Sequence, residues 1–159
     1  YSVSPYGIEA MNVMRIEKGH VAGAEINGQT TMLNLGLGRM LNKKKDCIGN
    51  VLSEREGLNE LDGLMLVGLK QMDERIPLAA GAHLIHLNGE ISPLADQGYV
   101  TSVAFSPNLQ RSIGLGFLRN GGNRKGEIVR AVNPLEGEDI EVEVTTPVFV
   151  DPEGERLRA

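Results

Sequence analysis

Arg15 is the residue whose type and position most directly suggest binding chemistry. It follows Ile8 and Met11 at the spacing i, i+3 and i+7, which places the three side chains on one face of a helix. A guanidinium on an apolar stripe must reach an acceptor or extend into water. From the residues alone, an ion pair with a carboxylate such as Glu9 or Glu25, or a solvent-facing position, is favoured over contact with a ligand.

Histidine and cysteine offer no clear catalytic or metal site. His83 and His86 lie three residues apart in a predicted strand, so they point to opposite faces, and two partly buried histidines are predicted rather than a shared metal site. Cys47 is the only cysteine. The lysines at 43–45 favour a lowered thiol pKa, but no base can be identified near it. The sequence therefore predicts no metal site and no catalytic residue.

Two glycine-rich segments resemble phosphate-binding loops only superficially. LGLGRML, which contains Gly36 and Gly38, lacks a third glycine and a preceding strand, so a structural turn is predicted. GGNRKG at 121–126 lacks the GK[ST] ending and is predicted to be a hairpin loop between two strands.

Two helices are predicted before residue 60. The first runs from a cap at Ser4 to a stop at Gly19. The second covers 43–57, with Asp46 as its cap and an apolar stripe. The members of that stripe are Ile48, Val51 and Leu52. The glycine-rich stretch 21–40 has no sustained period and is predicted to be irregular.

The rest of the chain reads as a β domain. Six short runs, separated by Gly, Pro and Asn turns, are predicted strands. They are LMLVGLKQM, GAHLIHLNGE, GYVTSVAFSP, SIGLGFLRN, GEIVRAV and DIEVEVTTPVFV. In the last run Ile140, Val142 and Val144 should share one face. The predicted fold is α+β: a helical and irregular segment at 1–60, then a small antiparallel β-barrel of about six strands at 61–159.

Composition narrows the class of protein. The chain has 159 residues and a net charge of -5, which argues against a nucleic-acid-binding surface. A single cysteine excludes an internal disulfide framework and suggests either a reducing compartment, here expected to be the cytoplasm, or indifference to redox conditions. No apolar run reaches the length of a membrane span, and no signal peptide is visible. Because the chain starts at Tyr1 rather than Met, it is interpreted as a piece of a larger polypeptide.

The order of several motifs resembles the folate-dependent aminomethyltransferase family, which includes the glycine cleavage T-protein. MRIEKGHVAGAEINGQTT, followed by LGLGRMLNKKKDCIG, is similar to the family signature, and GYVTSVAFSPNLQRSIGLGFL is similar to its C-terminal barrel. The likeness extends from about Pro5 to Val150. RIEKGH and KKKDCIG look more like the amine-oxidising branches of the family than like the T-protein. The ending TTPVFVDPEGERLRA is similar to the C-terminus of the alpha subunits of the bacterial heterotetrameric sarcosine oxidases.

The resemblance implies roles for a few residues. Arg15 matches the arginine of the family's Arg-x-Glu-x-Gly motif, which lines the folate site, whereas Glu17 of the same motif looks structural. Thr30 and Thr31 match a pair that is expected to cap or hold backbone. The family's essential acid and its pterin-binding glutamate lie upstream of the matched region. Asp151 to Gly154 replace an aromatic-bearing segment, so a folate-stacking tyrosine is not carried over.

The implied function is that of part of an oxidoreductase. The family site would capture, on tetrahydrofolate, the one-carbon unit from oxidative demethylation of sarcosine to glycine, giving 5,10-methylenetetrahydrofolate. Flavin, NAD and the other subunits are expected outside this chain, which alone should be inactive. No nucleic-acid or membrane partner is expected. The alternatives are a T-protein-like aminomethyltransferase, working with a lipoyl carrier protein, and a purely structural, subunit-contact module.

Overall fold

The computed structural model describes residues 3–42, 44–46, 48–58, 60, 62–73, 76–156 and 158. The helices are α1 at Ile8–Glu17 and α2 at Asn50–Ser53. The strands are β1 at Leu64–Gln71, β2 at His83–His86, β3 at Gly98–Ser106, β4 at Arg111–Arg119, β5 at Ile128–Asn133 and β6 at Glu138–Thr145. No helix in this described part is long and apolar enough to cross a membrane.

The six strands form a closed antiparallel barrel in the order β1-β4-β3-β2-β5-β6, with β6 pairing back to β1. In β1, Gly68 lies opposite Leu115 of β4 on one side and Thr145 of β6 on the other. Each strand corresponds to one of the six predicted runs, so the predicted fold class and strand number are confirmed. The closing pair of β1 and β6 covers Gly68–Gln71 of β1, and β2 pairs with β3 at His83 and Leu84.

The barrel interior is aliphatic. Ile140, Val142 and Val144 on β6 all point into it, as the DIEVEV alternation predicts. The other buried members of this cluster are Val67, Leu69, Leu78, Ala82, Leu84, Val100, Leu118, Val129 and Ala131. No aromatic ring is among them, in keeping with a sequence that is 4% aromatic.

A second apolar layer covers the outside of the barrel beside α1. Ile113, Leu115 and Phe117 of β4 pack there with Ile16 of α1. The intervening glycines of β4 lie against residues of neighbouring strands: a Cβ at Gly116 would come within 2.9 Å of the Leu69 side chain. The alternation in SIGLGFL thus gives β4 an apolar outer face for the helix. The boundary near residue 60 stays a prediction, because α1 and the barrel share this layer.

The ends and faces of α1 differ in part from expectation. The N-cap is Gly7, without a side-chain cap, and not Ser4. Gly19 ends the helix as predicted: its φ of 70° suits glycine, and its N–H donates to the Ile16 carbonyl. The predicted apolar stripe is not the packed face, since Ile8 is 80% exposed. The helix is anchored through its last turn instead.

The predicted second helix is wrong in length. Among the described residues of this span, the four of α2 are α-helical and a 3₁₀ turn begins at Glu56. The residue before α2 is Gly49, so Asp46 is not the cap. The stripe of Ile48, Val51 and Leu52 is exposed. A basic entry and an acidic exit oppose the helix dipole, and the exposed apolar stripe of the described residues does not compensate for that arrangement.

The two glycine-rich segments are turns. LGLGRML forms a turn and a short 3₁₀ helix at Gly38–Met40, as predicted. GGNRKG does lie between two strands, but these are β4 and β5, which are not neighbours in the barrel. It is therefore a crossover connection, and the predicted hairpin is wrong.

Gly98, at the start of β3, is the glycine whose replacement should destabilise the barrel most. Its φ is 150°, and a Cβ there would lie 1.9 Å from the Phe117 carbonyl oxygen of β4. Gly98→Ala should therefore lower the free energy of unfolding by about 2 kcal/mol or more. The measurement is thermal unfolding followed by circular dichroism. Gly28→Ala is the control, because a Cβ at Gly28 meets nothing within 4 Å; equal melting temperatures for the two variants would contradict this account.

Candidate functional site

Glu25 is a fully buried carboxylate surrounded by donors from three parts of the chain. Its side chain is 0% exposed. The Ala22 N–H donates to Oε2 at 2.8 Å, and the hydroxyls of Thr101 and Ser102 donate to Oε1 at 2.6 and 2.5 Å. Arg15 completes the set, with Nη1 at 3.1 Å from Oε2. A buried charge is tolerable only when it is paired and hydrogen-bonded in this way.

A β-bulge allows two consecutive hydroxyls to reach the same carboxylate. Successive side chains of a strand normally point to opposite faces. In β3 the register against β4 shifts between Val100 and Ser102, so Thr101 is an extra residue. Its hydroxyl bonds both Glu25 and the Leu115 carbonyl. The bulge thereby turns Thr101 and Ser102 toward the same group.

The pKa of the Glu25 carboxyl is set by opposing effects. Burial alone raises it, because the charged form loses its hydration. The hydrogen bonds from Ser102, Thr101 and Ala22, together with the positive charge of Arg15, outweigh that effect and hold the pKa below its ordinary value of 4.5. The carboxylate is therefore ionised at neutral pH, and it is Glu25, not Glu9, that pairs with Arg15.

Arg15 is held in one orientation by several acceptors. Its Nε donates to the Asn12 side chain at 2.8 Å, its Nη1 also to the His20 carbonyl at 3.4 Å, and its Nη2 to Ser102 Oγ at 2.8 Å. The ion pair favoured from the residues is thus present. A guanidinium has five N–H donors, and these contacts with the described residues use four of them. One hydrogen on Nη2 has no acceptor there.

A cleft of about 360 Å³ lies beside this arginine, between α1 and the C-terminal segment. Its apolar lining residues are Met11, Met14 and Val150, and its ionisable or charged ones are Arg15, Glu17, Lys18, His20, Asp151 and Arg156. Lys18 is paired with Asp151 at 3.3 Å, which leaves Arg15 and Arg156 as the cations of the cleft. Methionine side chains beside these guanidinium groups suit a flat, partly apolar ligand that carries carboxylates.

Glu17, on the other side of the cleft, holds neighbouring segments together, which agrees with the structural role expected for it. It is buried, and its carboxylate accepts from Ser106 Oγ and from Asn108 Nδ2, the latter at 2.8 Å. Its backbone carbonyl accepts the N–H groups of Phe149 and Val150, at 2.8 and 3.0 Å. Glu17 therefore joins α1 to the end of β3 and to the C-terminal segment.

The paired threonines, Thr30 and Thr31, stabilise the backbone of their loop through hydrogen bonds, as expected. Thr30 Oγ1 donates to the Glu25 and Asn27 carbonyls, each at 3.1 Å. Thr31 bonds Asn34 Oδ1 through its hydroxyl and its N–H, each at 2.7 Å. These bonds shape the loop that follows the buried carboxylate.

His83 and His86 lie away from this cleft and are exposed, so the prediction that they are partly buried is wrong. Both middle residues of β2 are buried, which leaves His83 and His86 at the exposed strand ends. His83 Nδ1 lies 3.4 Å from Asp96, and His86 Nδ1 lies 3.4 Å from Arg124 Nη2. The described residues contain no cluster of three or more possible metal ligands. Cys47 lies outside the described residues.

Sequence reasoning named Arg15 and Glu25 but missed Thr101 and Ser102. The available signal was the pair of adjacent hydroxyls inside an otherwise apolar strand, YVTSVAF. A buried serine in such a strand needs a polar partner. Which group the serine contacts depends on the β-bulge at Thr101, and no local sequence pattern in β3 predicts that bulge.

Comparison with known proteins identifies the family to which the barrel belongs. Residues 65–151 match the model of the glycine cleavage T-protein C-terminal barrel domain. The chain belongs to this family. This chain is 40% identical over 158 residues to sarcosine oxidase subunit alpha of Rhizobium meliloti strain 1021, a match that covers 99% of this chain. It is also 34% identical over 145 residues to the aminomethyltransferase of Synechocystis, with 89% of this chain covered.

A solved structure shows the same fold. The glycine cleavage system aminomethyltransferase T of Bartonella henselae superposes on this family member with a TM-score of 0.71 and 25% identity, over 90% of this chain and 38% of that one. The chain spans 16% of the length of the Rhizobium sarcosine oxidase subunit and 34% of the Synechocystis aminomethyltransferase.

Glu25→Gln should destabilise the protein at neutral pH by about 3–5 kcal/mol, because Arg15 and two hydroxyls lose their anion. The folded-state pKa of Glu25 lies below 4.5, so its stabilising contribution is complete above that pH and is lost as the pH falls through the folded-state pKa. The gap in free energy of unfolding between wild type and variant should therefore narrow between pH 7 and pH 3, as measured by urea denaturation. A gap independent of pH would contradict this. Glu153→Gln, at an exposed carboxyl, is the control.

Proposed function

We propose that this chain contributes one wall of a tetrahydrofolate site in a sarcosine-oxidising enzyme, with Arg15 as a folate contact. The observation that carries the proposal is the cleft of about 360 Å³ beside a guanidinium held by four hydrogen bonds. Similarity to sarcosine oxidase alpha subunits over 98–99% of the chain supports the choice of enzyme class. The full-length protein is then one subunit of a cytoplasmic, multi-subunit enzyme.

The residues of the cleft fit the chemistry of folate. Met11 and Met14 offer polarizable surface to a pterin or benzoyl ring. Arg15 offers directional N–H donors for a carbonyl or carboxylate oxygen, and Arg156 adds a cation for the glutamate tail. Tetrahydrofolate, when bound, supplies the amine nitrogens that accept a one-carbon unit. This chain would hold and orient it and exclude water.

An aminomethyltransferase of glycine cleavage is the second candidate, because the Synechocystis enzyme is 34% identical over 89% of this chain. Both candidates use the same folate wall. They differ in what lies elsewhere in the full-length polypeptide: the first requires flavin and NAD sites in other regions or subunits, and the second requires a lipoyl carrier protein. Assay of the full-length protein with sarcosine and oxygen, against assay with an aminomethyl-lipoyl carrier, separates them.

Arg15→Lys in the full-length enzyme should raise the dissociation constant for tetrahydrofolate about tenfold or more. The variant keeps the positive charge beside Glu25 but loses the planar fork of donors. Folate affinity is measured by titration calorimetry, and the melting temperature is measured in parallel.

Arg130→Lys is the matched control, since Arg130 also bridges a carboxylate, that of Asp139, and a backbone carbonyl, that of Gly89, but on β5. Folate affinity should be unchanged in this control. If Arg15→Lys lowered the melting temperature while folate affinity stayed within twofold of wild type, Arg15 would be purely structural and the proposal would fail.

A further inference from the structure

The hydroxyl of Ser102 lies between the two charged groups of the buried ion pair. Ser102 is only 6% exposed. Its Oγ accepts an N–H from Arg15 Nη2 at 2.8 Å and donates its own proton to Glu25 Oε1 at 2.5 Å. A hydroxyl has one proton to donate and lone pairs to accept with, so this orientation serves the cation and the anion at once. Together with the contact between Arg15 Nη1 and Glu25 Oε2, these bonds close a ring.

The three nitrogens of the Arg15 guanidinium are held by different parts of the chain. Nε bonds Asn12, which is exposed and lies on the same helix, so this contact moves with α1. Nη1 bonds Glu25 and, at 3.4 Å, the His20 carbonyl. Among the described residues, the partner of Nη2 is Ser102, which belongs to β3. Ser102 therefore connects the guanidinium directly to the barrel.

Nη2 is also the nitrogen that carries the N–H of Arg15 left without an acceptor among the described residues. The two hydrogens of such a nitrogen lie in the plane of the guanidinium, at about 120° to each other. Once one hydrogen points at Ser102 Oγ, the direction of the other is fixed. Arg15 lines the cleft, so this second N–H is the donor that the described residues leave for a ligand.

The backbone of Ser102 is firmly placed for this role. Ser102 pairs with Leu115 of β4, which is 0% exposed. A Cβ at Gly114 would lie 3.0 Å from the Ser102 carbonyl oxygen, so the two strands are in close contact here. Glu25, by contrast, lies in a turn of the loop that follows α1. A group on a rigid strand holds its partner more precisely than a group on a loop, so Ser102 is the better determinant of where Nη2 lies.

We propose that Ser102 is a positioning residue for folate binding: its hydroxyl sets the direction of the N–H on Arg15 Nη2 that a folate oxygen accepts. This inference rests on the proposed folate contact of Arg15. Ser102 does not itself line the cleft, so it acts through the arginine. Without the hydroxyl, the guanidinium would keep its charge and its pair with Glu25, but it could rotate about that contact. A misdirected donor then weakens the bond to the ligand.

The test is a double-mutant cycle in the full-length enzyme, with tetrahydrofolate affinity measured by titration calorimetry and the melting temperature measured in parallel. Ser102→Ala should raise the dissociation constant about tenfold. Because Ser102 acts through Arg15, adding Ser102→Ala to Arg15→Lys should change the constant by less than about twofold further. If Ser102→Ala does not fold, Ser102→Cys takes its place in the cycle, since a thiol fills the site but is a weak donor and acceptor.

Ser106→Ala is the matched control. Ser106 is also a buried serine of β3 that donates to a buried carboxylate, but its partner is Glu17 and not the Arg15 pair. Its loss should lower the melting temperature while the dissociation constant for tetrahydrofolate stays within about twofold of wild type. A purely structural role for Ser102 would make the two serine variants behave alike.

The outcomes separate this inference from the proposed function. If Ser102→Ala changes folate affinity no more than Ser106→Ala does, or if its effect adds in full to that of Arg15→Lys, the inference is overturned. The folate contact of Arg15 then still stands, provided that Arg15→Lys alone weakens binding. If Arg15→Lys leaves the affinity unchanged, both proposals are overturned, whatever Ser102→Ala does.

Discussion

The buried charge of Glu25 constrains much of this structure. An ionised carboxylate with no solvent exposure must be met by donors, and here these come from its own loop, from α1 and from β3. The loop therefore cannot move away from the barrel, and α1 cannot rotate without withdrawing Arg15. The bulge at Thr101 is part of the same solution, because a regular strand would present only one hydroxyl to Glu25.

Apolar packing and polar contacts both hold α1 against the barrel, and each contributes in a different way. Ile16 supplies the apolar contact with the outer face of β4, where the glycine-alternating sequence places Ile113, Leu115 and Phe117. Apolar contact alone is non-directional and would permit the helix to slide or turn. Arg15 and Glu17, on either side of Ile16, remove that freedom, since each makes hydrogen bonds with fixed directions to β3 or to the residues just after it.

The parts of the fold that could be predicted are those with strong local patterns. Strand alternation and turn residues predicted all six strands. Gly19 predicted the end of α1, because the residue after the helix has a positive φ, which glycine adopts without strain. The helix predicted at 43–57 was wrong in length, and the described residues of its apolar stripe are exposed. The order of strands in a barrel depends on contacts between distant segments, which local patterns do not contain, so the hairpin predicted between β4 and β5 was wrong. Arg15 and its partner Glu25 were predictable from spacing and charge, but the hydroxyls of β3 required knowledge of the bulge.

The ion pair of Arg15 with Glu25 is compatible with the ligand contact proposed for the same guanidinium. Pairing with Glu25 neutralises much of the arginine's long-range field, so the residue is poorly suited to attract an anion from a distance. The same pairing fixes the plane of the guanidinium and lowers the conformational entropy lost on binding. An arginine held this way discriminates by direction, through an N–H at a set position, and it favours a ligand with a well-placed acceptor over one that merely carries charge. Lys18 is likewise paired, with Asp151 at 3.3 Å, whereas the exposed Arg156 is better placed to supply general attraction to carboxylates.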